Sequence, residues 1–179
     1  MKNFKKLVYS SMIALAFITV FNIDSFAQNP KLTDPEIASV AVTANQIDID
    51  YAVIAKEKSK NAEVLKFAET MTNDHKAVIA QAVALVTRLK VTPKGNAVSQ
   101  KLLSDAAETG KALRAKSGKA FDKAYIDNEV AYHKAVIAAV SGLLIPQSQN
   151  AELKGLLEKV LPALNTHLAH AEMVQKDLK

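Results

Sequence analysis

Cysteine is absent from the 179 residues, so the chain forms no disulfides, offers no thiolate to a metal and has no cysteine to carry a membrane-tethering acyl group. Glycine and proline are scarce, five of each, whereas alanine, leucine, lysine, glutamate and glutamine are frequent, a balance that favours helix nearly everywhere. No alternating run of the kind a half-buried strand needs stands out, although residues 46–51 alternate briefly. Aromatic side chains make up 6% of the chain and do not interleave with basic clusters. The lysines are scattered along helices, so nucleic acid is not an expected partner. The sequence also lacks a phosphate-cradling loop, a nucleophile paired with a base and a pair of catalytic carboxylates, which makes an enzyme the reading it supports least. It shows no internal repeat and no low-complexity segment.

What is present begins with a leader. Lys2, Lys5 and Lys6 form a basic start, residues 7–23 are a mostly apolar run, and Ser25 and Ala27 are small residues at the two positions a signal peptidase reads. The expectation is a signal peptide over residues 1–27, cleaved after Ala27. Tyr9, Ser10, Ser11 and Asn22 weaken the alternative of an uncleaved membrane anchor. The mature protein is then expected in the periplasm, outside the cell or at the cell envelope, with no stable membrane span. Its residues 28–179 are the size of one domain with a single sizeable core. They carry 20 basic and 17 acidic side chains.

Capping residues and punctuation divide this domain into helices. Asp34 as cap and Pro35 in the first turn open a helix running to about Lys58. Asn61 caps a second, from Ala62 to about Lys90, with Glu63 in its first turn. Residues 91–96 read as a loop. A weaker helix follows from Val98 to about Lys116, its apolar face of Leu102, Leu103, Ala106 and Leu113 broken by Gly110. A strong helix spans Lys119 to about Leu144, residues 146–150 form a loop, and Asn150 caps a last helix that Pro162 should kink. Four long helices and one shorter one joined by short loops predict an all-α fold, an antiparallel four-helix bundle with one additional helix.

Each long helix has an apolar stripe at spacings of three and four, and each stripe is interrupted once. In the second helix Val64, Phe67, Ala68, Met71, Val78, Ala82, Leu85 and Leu89 share their face with His75. In the fourth, His133 lies among Ile126, Val130, Ile137, Val140 and Leu144. In the last, His167 lies among Leu153, Leu157, Val160, Leu164, Ala171 and Val174. The first carries Asp48 among Ile37, Val40, Ala41, Ala44, Tyr51 and Ala55. All four polar residues fall near their helix midpoints, and a midpoint stays at mid-height whichever way a helix points. Packed side by side, the helices should bring three imidazoles and one carboxylate to one level of the core.

Neutral imidazoles with a carboxylate suit zinc, copper, iron or manganese, and a bundle core can surround such an ion from several helices. Four protein ligands leave little open coordination, which favours a structural or storage site over a catalytic one. His170 is a further candidate ligand. A metal-free alternative stands beside this reading, in which Asp48 and the histidines satisfy one another as a polar layer. Glu129, one turn before His133, is a candidate to orient it, although the glutamates as a group suggest a solvated face. Asp74 lies about 100° around the helix from His75, which suits a solvated or interhelical carboxylate. Asp122 and Tyr125 open the fourth helix. Asp122 is roughly 16 Å of rise from His133 and cannot join the same ion.

From about Asp34 onward the chain resembles an exported bacterial family, the domain of unknown function DUF4142, described as ferritin-like. The likeness is carried by Asp48-Ile49-Asp50-Tyr51-Ala52, Phe67-Ala68-Glu69-Thr70-Met71 followed by Asp74-His75, Phe121-Asp122 with Tyr125, His133, and Leu161-Pro162 followed by His167-Leu168 and Ala171. The resemblance implies a ferritin-like bundle and no particular reaction. Asp48 stands where the family has glutamate. The Glu-x-x-His motifs of carboxylate-bridged di-iron proteins are missing, since Glu129 and His133 are four apart and Glu172 follows His170. The functional expectation is therefore a bundle holding one transition-metal ion through His75, His133, His167 and Asp48, for storage, stress protection or stability. Its rival is a structural or interaction bundle of the envelope with a metal-free polar layer.

Overall fold

Hydrogen-bonding caps set where four of the helices of this protein begin. The computed structural model describes residues 30–178; the leader and its expected cleavage site lie outside the described residues. Helix α1 (Asp34–Lys58) opens after Thr33, whose backbone N–H and hydroxyl both donate to the Glu36 carboxylate at 2.9 and 2.7 Å. Asp34 therefore does not cap α1 as expected. Its two carboxylate oxygens instead accept the backbone N–H groups of Gln149 and Asn150, each at 2.9 Å, tying the start of α1 to the chain ahead of the last helix. Asp34→Ala should lower the unfolding free energy by about 1 kcal/mol, read as a shift in the denaturant midpoint at unchanged m-value.

Helix α2 (Ala62–Arg88) starts where Asn61 accepts from Glu63 N and Val64 N. It stops short of the expected Lys90, because Lys90 itself turns the chain with φ of 53°. Helix α3 (Ala97–Arg114) is capped by Asn96, which accepts from Val98 N and Ser99 N while Ser99 Oγ accepts from Asn96 N. The helix passes unbroken through Gly110, where an added Cβ would sit 3.7 Å from Ile54 Cδ1. That is an ordinary van der Waals contact, so α3 packs on α1 here with room for a methyl group.

Helix α4 (Gly118–Gln147) runs past the point where Pro146 was expected to end it. A π-helical turn over Val140–Leu144, closed by Ile145 N–H bonding Val140 O, lets Pro146 enter the first turn of a short terminal segment, where its missing N–H leaves little unmade. Helix α5 (Ala151–Asp177) is continuous through Pro162.

The architecture is an all-helical bundle, with no strand among the described residues. Helix α1 packs along both α2 and α3, α4 packs along α5, and α5 also meets α2. Because α1 has neighbours on several sides, it buries Ala38, Ile47, Ile49, Ala52 and Ile54 outside the single stripe read from sequence. By length and composition α4 could cross a membrane; here its Phe121, Tyr125, Ile126 and Val130 belong to the bundle core. The apolar interior falls into two clusters. One is rich in aromatics, including Phe67, Phe121, Tyr125, Tyr51 and Tyr132. The other is aliphatic, including Ile37, Leu85, Val140, Leu144, Leu157 and Leu164. Buried Asp48, His75, Glu129, His133 and His167 belong to neither cluster.

Candidate metal centre

The polar residues at helix mid-height meet. Ring centroids of His75, His133 and His167 are 5.2 to 5.9 Å apart. One nitrogen of each ring lies within 4.8 Å of the other two. A triangle with sides no longer than 4.8 Å has a point within about 2.8 Å of every corner (4.8/√3), against metal–nitrogen lengths of about 2.0–2.1 Å. A shift of less than about 1 Å per ring would complete a first coordination shell.

The outer nitrogen of each ring is already tied. His75 Nδ1 donates to Asn45 Oδ1 at 2.7 Å, and Asn45 Nδ2 in turn donates to Ala41 O at 2.8 Å. His133 Nδ1 donates to the Glu129 carbonyl at 3.0 Å. His167 Nε2 donates to Asp74 Oδ2 at 2.9 Å. A neutral imidazole carries a single N–H. These bonds therefore assign the lone pairs to His75 Nε2, His133 Nε2 and His167 Nδ1, three buried nitrogens without a hydrogen-bond partner. Asp48 Oδ2 faces two of them, 3.3 Å from His75 Nε2 and 3.5 Å from His133 Nε2, without hydrogen bonding to either. The shorter arm of aspartate thus reaches the histidines.

Burial dominates the electrostatics. It pushes the Asp48 carboxyl up to about 8. Burial, followed by the neighbouring imidazoles, lowers His75 to about 3. Burial likewise lowers His133 to about 4, with the bond to the Glu129 carbonyl opposing it and His167 reinforcing it. At neutral pH Asp48, His75 and His133 are therefore held uncharged in the ion-free fold, the state a low-dielectric interior favours.

Glu129 corrects the view of the glutamates as a solvated face. It is wholly buried, and burial followed by the nearby Asp48 drives its carboxyl well above the usual carboxylate range. With Asp48 and His133 it forms a second close grouping of potential ligands within 4.8 Å. Tyr125 is buried next to it and stacks on Phe121 at 6.1 Å. Asp74, exposed, is the interhelical partner of His167 described above. Asp122 lies away from the cluster, accepting from Ser59 Oγ at 2.5 Å. His170 packs edge-on against Phe67 at 5.1 Å, outside both ligand groupings. Asn45 was missed by the sequence reading. Its signal was a polar residue one turn before Asp48 on an alanine-lined face.

Fold and site together define an all-helical bundle with a buried histidine–carboxylate cluster at its centre. A family model described as "Domain of unknown function (DUF4142)" matches residues 23–174, and the chain belongs to that family. No curated protein and no solved structure matches it.

Proposed function

We propose that this protein is an exported, ferritin-like antiparallel four-helix bundle, freed of residues 1–27, that holds one transition-metal ion in its core. His75, His133 and His167 supply the nitrogens and Asp48 an oxygen; Asn45, Asp74 and the Glu129 carbonyl fix the imidazole orientations. The observation that carries the reading is the division of labour within each ring. One nitrogen is spent on a hydrogen bond and the other is buried and unpartnered, in a cluster where a nitrogen of each ring lies within 4.8 Å of the other two. A self-sufficient polar layer would leave fewer such groups unmet, because each costs about 1–3 kcal/mol when buried without a partner. Three neutral nitrogens and one carboxylate oxygen suit zinc, copper, iron or manganese. Ligands drawn from four helices suit a storage, protective or stabilising role.

The test uses untagged protein produced from the full-length sequence. Elemental analysis should find one ion per chain. With ion at about 100 times its dissociation constant, stability rises by about 2.7 kcal/mol over chelator-treated protein, a midpoint shift of roughly 5–10 °C for a chain this size. No bound metal, together with no shift on adding zinc, copper, iron or manganese, would overturn the reading.

A further inference from the structure

Beside the cluster, on its aliphatic side, the bundle is hollow. A cavity of about 240 Å³ reaches from Asp48, His75 and His167 past Leu85, Val136 and Leu157 to Leu144. From His75 to Leu85 and from His133 to Leu144 is ten or eleven residues, so its walls extend about 15 Å along the helices. Away from the cluster and its neighbour Tyr132, the lining is aliphatic except for Gln81. The π-helical turn of α4 contributes Val140, Leu143 and Leu144 to the wall, and such turns recur at functional sites. Ala77, Gln81 and Ala163 line the cavity and are also solvent-exposed, which places its mouth on the seam between α2 and α5. At that seam Lys159 Nζ lies 3.5 Å from Gln81 Oε1, setting a cation beside the opening.

We propose that this cavity binds a straight-chain aliphatic carboxylate, its chain in the hollow half of the core and its carboxylate on the ion held by the cluster, an inference that rests on the metal reading above. Size sets the length. A dry cavity of about 150 Å³ accommodates benzene, so in proportion 240 Å³ takes on the order of ten non-hydrogen atoms, a chain of about eight to ten carbons. Charge sets the head group. A divalent ion on three neutral imidazoles and the Asp48 carboxylate leaves one positive charge in a low-dielectric interior, and one further carboxylate cancels it. Zinc-type sites expand from four to five ligands to admit such a group. The chain buries methylenes at about 0.8 kcal/mol each.

The experiment is titration of decanoate into the cobalt(II)-loaded protein, followed by calorimetry and by the visible absorption of the cobalt. Cobalt loading is measured first by elemental analysis, so failure of the metal reading shows before decanoate is added. The expected result is one decanoate per chain, a changed cobalt spectrum, and binding at least tenfold tighter than that of decan-1-ol. Ala163→Phe at the mouth should retain cobalt and lose decanoate. With cobalt bound, any of the following overturns this inference while leaving the metal reading intact: no decanoate binding, an unaltered cobalt spectrum, equal affinity for decan-1-ol, or binding that survives Ala163→Phe.

Discussion

His133→Leu should abolish stoichiometric metal uptake while leaving the ion-free protein as stable as before or more so. The imidazole of His133 is almost wholly buried and its Nε2 has no hydrogen-bond partner. In the ion-free fold it therefore contributes a desolvated polar group to a position that leucine fills with similar volume. The bond it gives up, from Nδ1 to the Glu129 carbonyl, leaves no orphan, because a helix carbonyl keeps its partner in the backbone N–H four residues on. Replacing a buried polar or charged constellation by packed apolar side chains is commonly neutral or stabilising by about 1–4 kcal/mol. Metal affinity should move the other way, and further. Loss of a residue that merely supports a ligand costs about 10–100-fold, so loss of a ligand nitrogen costs more.

The pair of measurements separates the two readings of the cluster. If it is only a polar layer, chelator changes nothing in either protein, and His133→Leu shifts stability by the same amount with or without added zinc. If it holds an ion, the thermal shift produced by zinc disappears in the variant alone. Asn45→Ala is a milder version of the same comparison. It removes the acceptor that fixes the His75 tautomer and should weaken metal binding by about 10–100-fold without removing a ligand. Calorimetric titration of each variant with zinc measures both effects.

How much of this was legible in the sequence follows from where each signal is local. The helix starts at Ala62 and Ala151 were readable because asparagine caps act within three residues. Mid-height convergence was readable because each of Asp48, His75, His133 and His167 interrupts an apolar stripe near its helix centre. Asp34 misled, because its carboxylate serves backbone more than a hundred residues away, a partner no local pattern discloses. Pro146 misled as well, since a proline ordinarily ends a helix and the π-helical turn that absorbs it has no strong sequence mark. Glu129 was legible as a neighbour of His133 but not as a wholly buried acid, because burial of a glutamate depends on the helix opposite, here α1 with Asp48. The cavity was illegible for a related reason. Val78, Leu85, Leu157 and Leu164 read as ordinary core residues, and only their separation across the bundle shows that they enclose space.

Between pH 6.5 and 8.5 the ion-free protein should lose stability as the ion-loaded protein gains on it. Asp48 holds its proton in the fold up to about pH 8, whereas in the unfolded chain it sheds it near 3.8. Across that interval the native state binds the extra proton, so raising the pH favours unfolding until the folded carboxyl has itself titrated. Burial moves Glu129 in the same direction. His75 and His133 act oppositely, because their folded values of about 3 and 4 lie below the ordinary 6.5. Their contribution is complete above pH 6.5 and is lost on acidification towards pH 3. From about pH 4 to 6.5 the imidazoles and the Asp48 carboxyl offset one another; above 6.5 Asp48 still acts. One proton is worth about 1.4 kcal/mol per pH unit, so Asp48 alone should lower ion-free stability by roughly 2 kcal/mol between pH 6.5 and 8.5. Metal binding removes that same proton, so affinity should rise about tenfold per pH unit up to pH 8. Urea denaturation at pH 6.5, 7.5 and 8.5, with EDTA and with saturating zinc, reads both slopes. In Asp48→Asn, which has no proton to lose, the alkaline decline attributable to Asp48 should vanish together with tight zinc binding. Stability that instead rises with pH in EDTA would mean that Asp48 is ionised in the ion-free fold, and the neutral Asp48 carboxyl from which the metal displaces a proton would be wrong.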